Sequence, residues 1–110
     1  MKLPEEGMLL RIFVGESDKY KDKALYEQIV IKAREFNLAG ATVIRGIMGF
    51  GADSRMHSAK ILRLSEDLPV VIELVDTEEN LNKLLPFLDE TVQEGLITLE
   101  KIRVIKYRHK

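Results

Sequence analysis

Arg45, Arg55, Lys101, Arg103, Lys106 and Arg108 are the residues of this chain best suited to holding an anion. Arginine presents a planar fork of donors that matches a phosphate or carboxylate. Charge-assisted hydrogen bonds of that kind are stronger than neutral ones. Gathered in one place, the six could hold a diphosphate. Taken one at a time, each is as well explained as a solvated, salt-paired surface group. A second cluster surrounds His57, with Asp53, Ser54 and Ser58 close in sequence. On paper these supply nucleophile, base and orienter. Such a set is normally held rigidly by a fold, so a polar loop is the better reading. Glu66-Asp67 and Glu78-Glu79 read as a turn and a helix start rather than as paired catalytic carboxylates. The chain has two histidines, His57 and His109, and no cysteine. Disulfides and thiolate catalysis are excluded, and no metal site is expected.

Three glycines, Gly46, Gly49 and Gly51, follow the β-branched run Ala41–Ile44 within a few positions. Glycine in a strand gives up side-chain packing and lets another group approach the backbone closely. A strand that passes into a permissive hinge and then into polar residues is suited to mounting a binding loop. The other reading is a β-bulge with an ordinary hairpin.

The elements that must position these residues follow from the apolar pattern. At 110 residues the sequence is expected to be one domain, 1–110. Charged residues make up 32%, with a net charge of -1, which argues against a nucleic-acid partner. No apolar run has the length of a membrane span or a signal peptide, so the expected location is cytoplasmic. Met8–Val14 is apolar on both faces and reads as a central strand. Leu25, Ile29, Ala33 and Phe36 predict a helix over 21–36, with Asn37 and Gly40 as terminators. Ala59–Leu64 could return as a strand, and Val70–Val75 is another, with Pro69 at its start. Asp76 or Thr77 can cap a second helix, carried by Leu81, Leu84, Leu85, Leu88 and Val92. Pro86 should bend it and Gly95 should end it. The last strand is expected over 97–107.

The order β-α-β-β-α-β predicts an α+β, ferredoxin-like split β-α-β fold. It has an antiparallel sheet, two helices on one face, and an extra short strand or hairpin near the long loop. The uncovered sheet face keeps apolar residues, either Leu9 and Phe13 or Met8 and Ile12. Such a face needs a partner, and self-association in a small symmetric oligomer is expected. The RNA-binding form of this fold displays paired aromatics on its central strands, and Phe13 alone does not supply them.

The run Gly40–Gly51 (GATVIRGIMGFG), with Ile61–Glu73 (ILRLSEDLPVVIE), resembles an uncharacterised bacterial and archaeal family of PII-like proteins. The resemblance covers most of the chain, about 8–108. It implies a homotrimer that binds ADP or ATP between subunits and signals to a target protein, soluble or membrane-associated. Gly49, Phe50 and Gly51 match the base of the family's flexible partner-binding loop, implying such a loop over Ala52, Asp53, Ser54, Arg55, Met56, His57 and Ser58. Gly95 and Lys101 match the family's phosphate loop. Lys106 and Arg108 match its basic C-terminal residues, with Arg103 and Arg45 nearby. The Gly-Asp-Gly of that loop is replaced here by Thr98-Leu99-Glu100. Fewer flexible donors and an added negative charge imply that ADP binds at least as readily as ATP. No tyrosine lies between Gly51 and Leu68, so the modification site of the nitrogen-signalling relatives is missing. The resemblance implies no catalysis. The alternative is a small trimeric enzyme of the same fold, using the inter-subunit cleft.

Overall fold

A computed structural model of the chain describes residues 6–50, 56–58 and 68–108, the middle segment by its backbone alone. Strand β1 (Glu6–Gly15) sits inside a four-stranded sheet. It is followed by two short strands, β2 (Lys19–Tyr20) and β3 (Lys23–Ala24). Lys21 and Asp22 between them have φ of 51° and 65°, a left-handed pair of the kind that closes a tight hairpin. This hairpin delays helix α1 (Leu25–Glu35) by four residues from the expected start at Lys21.

Helix α1 ends where expected. Asn37 is left-handed, with φ 59°. Its amide donates to Arg34 O, and the Leu38 amide donates to Ala33 O. That pair of bonds satisfies carbonyls the helix end would otherwise leave bare. Strand β4 (Ala41–Arg45), β5 (Met48–Phe50), β6 (Met56–Ser58) and β7 (Pro69–Asp76) follow. The second helical region is not one bent helix but two, α2 (Glu78–Asn82) and α3 (Leu85–Thr91). Pro86 has no N–H to give to the carbonyl of Asn82, so the first helix stops there and Pro86 serves in the first turn of the next. Gly95 lies beyond the helix and leads into β8 (Leu96–Arg103).

The sheet order is β4-β7-β1-β8, with every neighbour antiparallel. Leaving aside the two small hairpins, this is the ferredoxin-like arrangement expected. Leu10, Ile12 and Val14 of β1 and Val70, Ile72 and Leu74 of β7 face the helices. They pack on Leu25, Ile29 and Ala33 of α1 and on Leu81, Leu84 and Leu88 beneath α2 and α3. Each fully buried Leu or Ile of this set contributes about 1.5–3 kcal/mol relative to exposure. The opposite face carries Leu9, Arg11 and Phe13, in register with Val75, Glu73 and Val71 of β7. The set pointing away from the helices is therefore Leu9 and Phe13.

The expected strand over Ala59–Leu64 lies outside the described residues. The strand that does return, β6, comes earlier and pairs with β5: Met48 opposite Ser58, Gly49 opposite His57, Phe50 opposite Met56.

Candidate functional site

The expected site residues fall at two ends of the sheet. Arg45, Gly49, Phe50 and Gly95 lie at the end marked by Gly15 and Pro69. Arg45 closes β4 opposite Val70, and Leu96, next to Gly95, pairs with Phe13. Lys101 and Arg103 lie opposite Met8 and Glu6, at the other end. The strand expected through 107 ends at Arg103, and Lys106 and Arg108 follow in an irregular tail that leaves the β1 ladder and runs to the start of β4, where the Tyr107 hydroxyl donates to Ala39 O at 2.9 Å. The two ends, Gly15 and Met8, are roughly 23 Å apart at the usual strand rise. Gly51, Ala52, Asp53, Ser54 and Arg55 lie outside the described residues. Met56, His57 and Ser58, expected in a loop, form the return arm of the β5–β6 hairpin.

The glycines at the first end are fitted to close contact within the chain. A Cβ on Gly46 would stand 2.9 Å from the Pro69 ring, and one on Gly49 3.1 Å from it. The Gly46 amide donates to Pro69 O at 2.7 Å. The group that approaches this backbone closely is thus Pro69. At Gly95, φ is +156° and a Cβ would meet the Phe13 carbonyl oxygen at 2.4 Å.

The segment expected to form a phosphate loop is regular strand. Thr98, Leu99 and Glu100 pair with Arg11, Leu10 and Leu9. The irregular backbone nearest to it is 92–95, just before β8. Alternating pairing with a central strand leaves no room for a loop at 98–100.

The cations differ in what already holds them. Arg45 donates through Nε to Glu16 Oε2 at 2.9 Å and through a second guanidinium nitrogen to the same oxygen. A phosphate there would compete with Glu16. Lys101, Lys106 and Arg108 are exposed and, among the described residues, make no ion pair. They are the cations best placed to meet an outside anion. Lys101 and Arg103 also line a cleft of about 760 Å³ with Glu6, Met8, Thr77 and Glu78.

Two groupings were not foreseen from the sequence. Arg11 lies in the middle of the uncovered face, bonded to Glu73 at 2.9 Å and to Glu100 at 2.8 Å. The hydrogen bond to Glu73, with the Glu100 charge behind it, raises the guanidinium pKa above its ordinary value. Asp76, one of the two expected helix caps, is fully buried. Thr77 does the capping, accepting from the Asn80 amide. The Asp76 carboxylate accepts from the Ala39 amide at 2.8 Å, the Thr77 amide at 2.6 Å and the Asn80 side chain at 2.9 Å. It is a structural clasp rather than a reactive acid. Among the described residues, no group of His, Asp and Glu is arranged to hold a metal ion. No helix among them is long and apolar enough to cross a membrane.

The architecture is that of PII-like proteins. It is similar to CPII, a nitrogen regulatory PII-like protein from Thiomonas intermedia K12. One structure of CPII, with ADP, AMP and bicarbonate bound, matches with a TM-score of 0.66 at 19% identity, covering 92% of this chain and 90% of that one. A second, with ADP and bicarbonate, matches with a TM-score of 0.64 at 18% identity over the same shares. At that identity the likeness is one of fold. The sequence itself places the chain in a family: it belongs to DUF190, described as uncharacterized ACR, whose model matches residues 7–104. A UPF0166 protein of Aquifex aeolicus is 40% identical over 99 residues, 88% of this chain and 91% of its own. A UPF0166 protein of Methanocaldococcus jannaschii is 39% identical over 102 residues, 92% of this chain and 94% of its own.

Proposed function

We propose that this chain is a PII-like regulatory protein that binds an adenine nucleotide between the subunits of a homotrimer. In this reading the protein is cytoplasmic, performs no catalysis, and signals to a target protein through the segment Ala52–Ser58. The observation that carries it is the division of the anion-binding and glycine-rich residues between opposite ends of one sheet. Arg45, Gly49, Phe50 and Gly95 are too far from Lys101, Arg103, Lys106 and Arg108 to serve one small ligand within a protomer. Neighbouring protomers can supply one set each. Further support comes from the fold shared with CPII, whose structures hold ADP, with AMP in one of them.

In this reading Lys106 and Arg108, on the tail, supply the phosphate contacts; Lys101, paired with Met8, is turned to the helix side at the β8 edge and lies apart from them. Glu100, between Leu99 and Lys101 on β8, repels added negative charge, so ADP binds at least as well as ATP. Truncating Arg108 to Ala removes a charge-assisted contact, about 1.5–3 kcal/mol, or roughly ten- to a hundredfold in affinity. Titration calorimetry of wild type and Arg108→Ala with ADP, ATP and AMP tests this. Binding of none of the three to wild type defeats the nucleotide reading. Equal affinity in the variant removes Arg108 from the site. Turnover of ATP by the pure protein would favour the enzyme alternative.

A further inference from the structure

Glu16 follows β1 in a turn that is closed on itself. The Gly15 amide donates to the Asp18 carboxylate at 2.9 Å, and the Asp18 amide donates back to Gly15 O at 3.1 Å. The Glu16 amide donates at 2.8 Å to Leu68 O, where the chain enters β7. Its backbone is thus fixed from both sides. Its side chain is the less exposed member of the pair with Arg45, 21% against 56%. Both bonds that Arg45 donates there end on the same oxygen, Oε2. The carboxylate is the fixed partner, and it decides where the guanidinium lies.

Arg45 is placed unlike the cations of the tail. It stands directly opposite Val70, which is buried against the helices. Residues directly opposite each other share a face of the sheet, so Arg45 leaves β4 on the helix side. Lys106 lines a cleft on the other face, with Leu9 and Val75. Arg45 is also the last residue of β4, one before Gly46. The Gly46 amide is tied to Pro69 O, and the Pro69 ring leaves no room for a Cβ on Gly46 and little for one on Gly49. The wall formed by Gly49 and Phe50 therefore starts from a strand end that Glu16 holds. Through Leu68 and Arg45, this one residue ties together the end of β1, the start of β7 and the end of β4.

We infer that Glu16 is a positioning residue for the Gly49–Phe50 wall, acting through Arg45, and that Arg45 serves as its partner and not as a phosphate ligand. The inference rests on the nucleotide site of the proposed function and refines it: the pair sets where the wall stands, and the tail supplies the charge. What the site requires of positions 16 and 45 is then one carboxylate and one guanidinium in contact, whichever position carries which.

Charge exchange tests this. ADP affinity is measured by calorimetry for wild type, Glu16→Arg, Arg45→Glu and the variant carrying both changes. Each single change sets like charges face to face and should weaken ADP binding roughly three- to thirtyfold, as for coupled residues of one network. The double exchange rebuilds the pair and should bind within about threefold of wild type. A phosphate contact from Arg45 predicts the opposite, since a carboxylate at position 45 would repel the ligand, and the double variant would then bind no better than Arg45→Glu. Glu16→Ala is a milder variant, checked for folding with the others by circular dichroism. It too should bind ADP more weakly. Without nucleotide, its Gly49 amide resonance should be displaced from the wild-type position, and the double exchange should return it. Wild-type ADP affinity in the single variants, a double variant as weak as Arg45→Glu, or an unmoved Gly49 resonance in Glu16→Ala overturns this inference and leaves the proposed function standing. Wild-type protein that binds no adenine nucleotide defeats both.

Discussion

A side chain at position 95 would have to occupy space held by the Phe13 carbonyl, 2.4 Å from an added Cβ. Backbone oxygen at the centre of a sheet cannot swing aside as a flexible side chain can. Gly95→Ala should therefore lower stability by roughly 1–3 kcal/mol. Urea denaturation at fixed protein concentration checks this, since the proposed assembly would also shift the midpoint. An unchanged midpoint would mean that the 92–95 segment relaxes freely. The sequence marked Gly95 as important but for other reasons, as a helix stop and as part of a phosphate loop. Its actual constraint is the close approach of β1, which no local pattern records. Arg11 was equally hidden. Alternation placed it on the same face as Leu9 and Phe13, but its carboxylate partners lie 62 and 89 residues away.

Strands and helices whose pattern is local were legible. β1 and β7 carry apolar runs, that of β7 mostly β-branched, and their periodicity is enough to place them. Helix α1 stops at Asn37 because asparagine tolerates the left-handed conformation that the cap requires. Where the pattern was ambiguous, chain chemistry decided. Leu81 through Val92 fits one helical stripe, yet Pro86 divides it in two. This predicts that Pro86→Ala is nearly silent. A proline in a helix interior costs about 3 kcal/mol, so its removal there would raise stability strongly. At the start of α3 it is already in a tolerated position. The denaturation midpoint of Pro86→Ala should correspond to a change of under about 1 kcal/mol. A gain near 3 would show that the break at Lys83–Leu84 is strained. The β5–β6 hairpin was only partly legible, because glycine-rich strands carry little register information.

At the scale of the whole molecule, the main lesson concerns direction. Reading β8 as a strand already implies that Gly95 and Lys101 stand far apart, whereas reading 94–102 as a loop brings them together. The ladder with β1 decides in favour of the strand. The candidate site residues are thereby split between two ends of the sheet, and in the proposed function neighbouring subunits bring them together. The uncovered face is suited to that role, though not as a uniform apolar surface. Arg11, Glu73 and Glu100 form a polar island with one positive and two negative charges in its middle. Like charges left facing one another penalise wrong partners and wrong registers. Arg11→Ala leaves Glu73 and Glu100 without the cation between them, and it should weaken the proposed trimer, seen as dissociation on dilution in light scattering. Wild-type behaviour on dilution would mean that the island stays outside the interface.

Ala39 is gripped from both sides, its amide by the Asp76 carboxylate and its carbonyl by the Tyr107 hydroxyl. A peptide hydrogen bonded at 2.8 Å to a carboxylate should resonate well downfield of the crowded amide region, giving a signal that can be followed alone. The hydroxyl at the other end of the residue belongs to the tail that carries Lys106 and Arg108. If an anion draws those two residues toward it, the bond to the Ala39 carbonyl lengthens and the neighbouring resonances move in proportion to occupancy. The fold thus contains its own spectroscopic indicator of ligand at the tail. In Tyr107→Phe the indicator should fall silent, with the peak already displaced and unresponsive to added ADP.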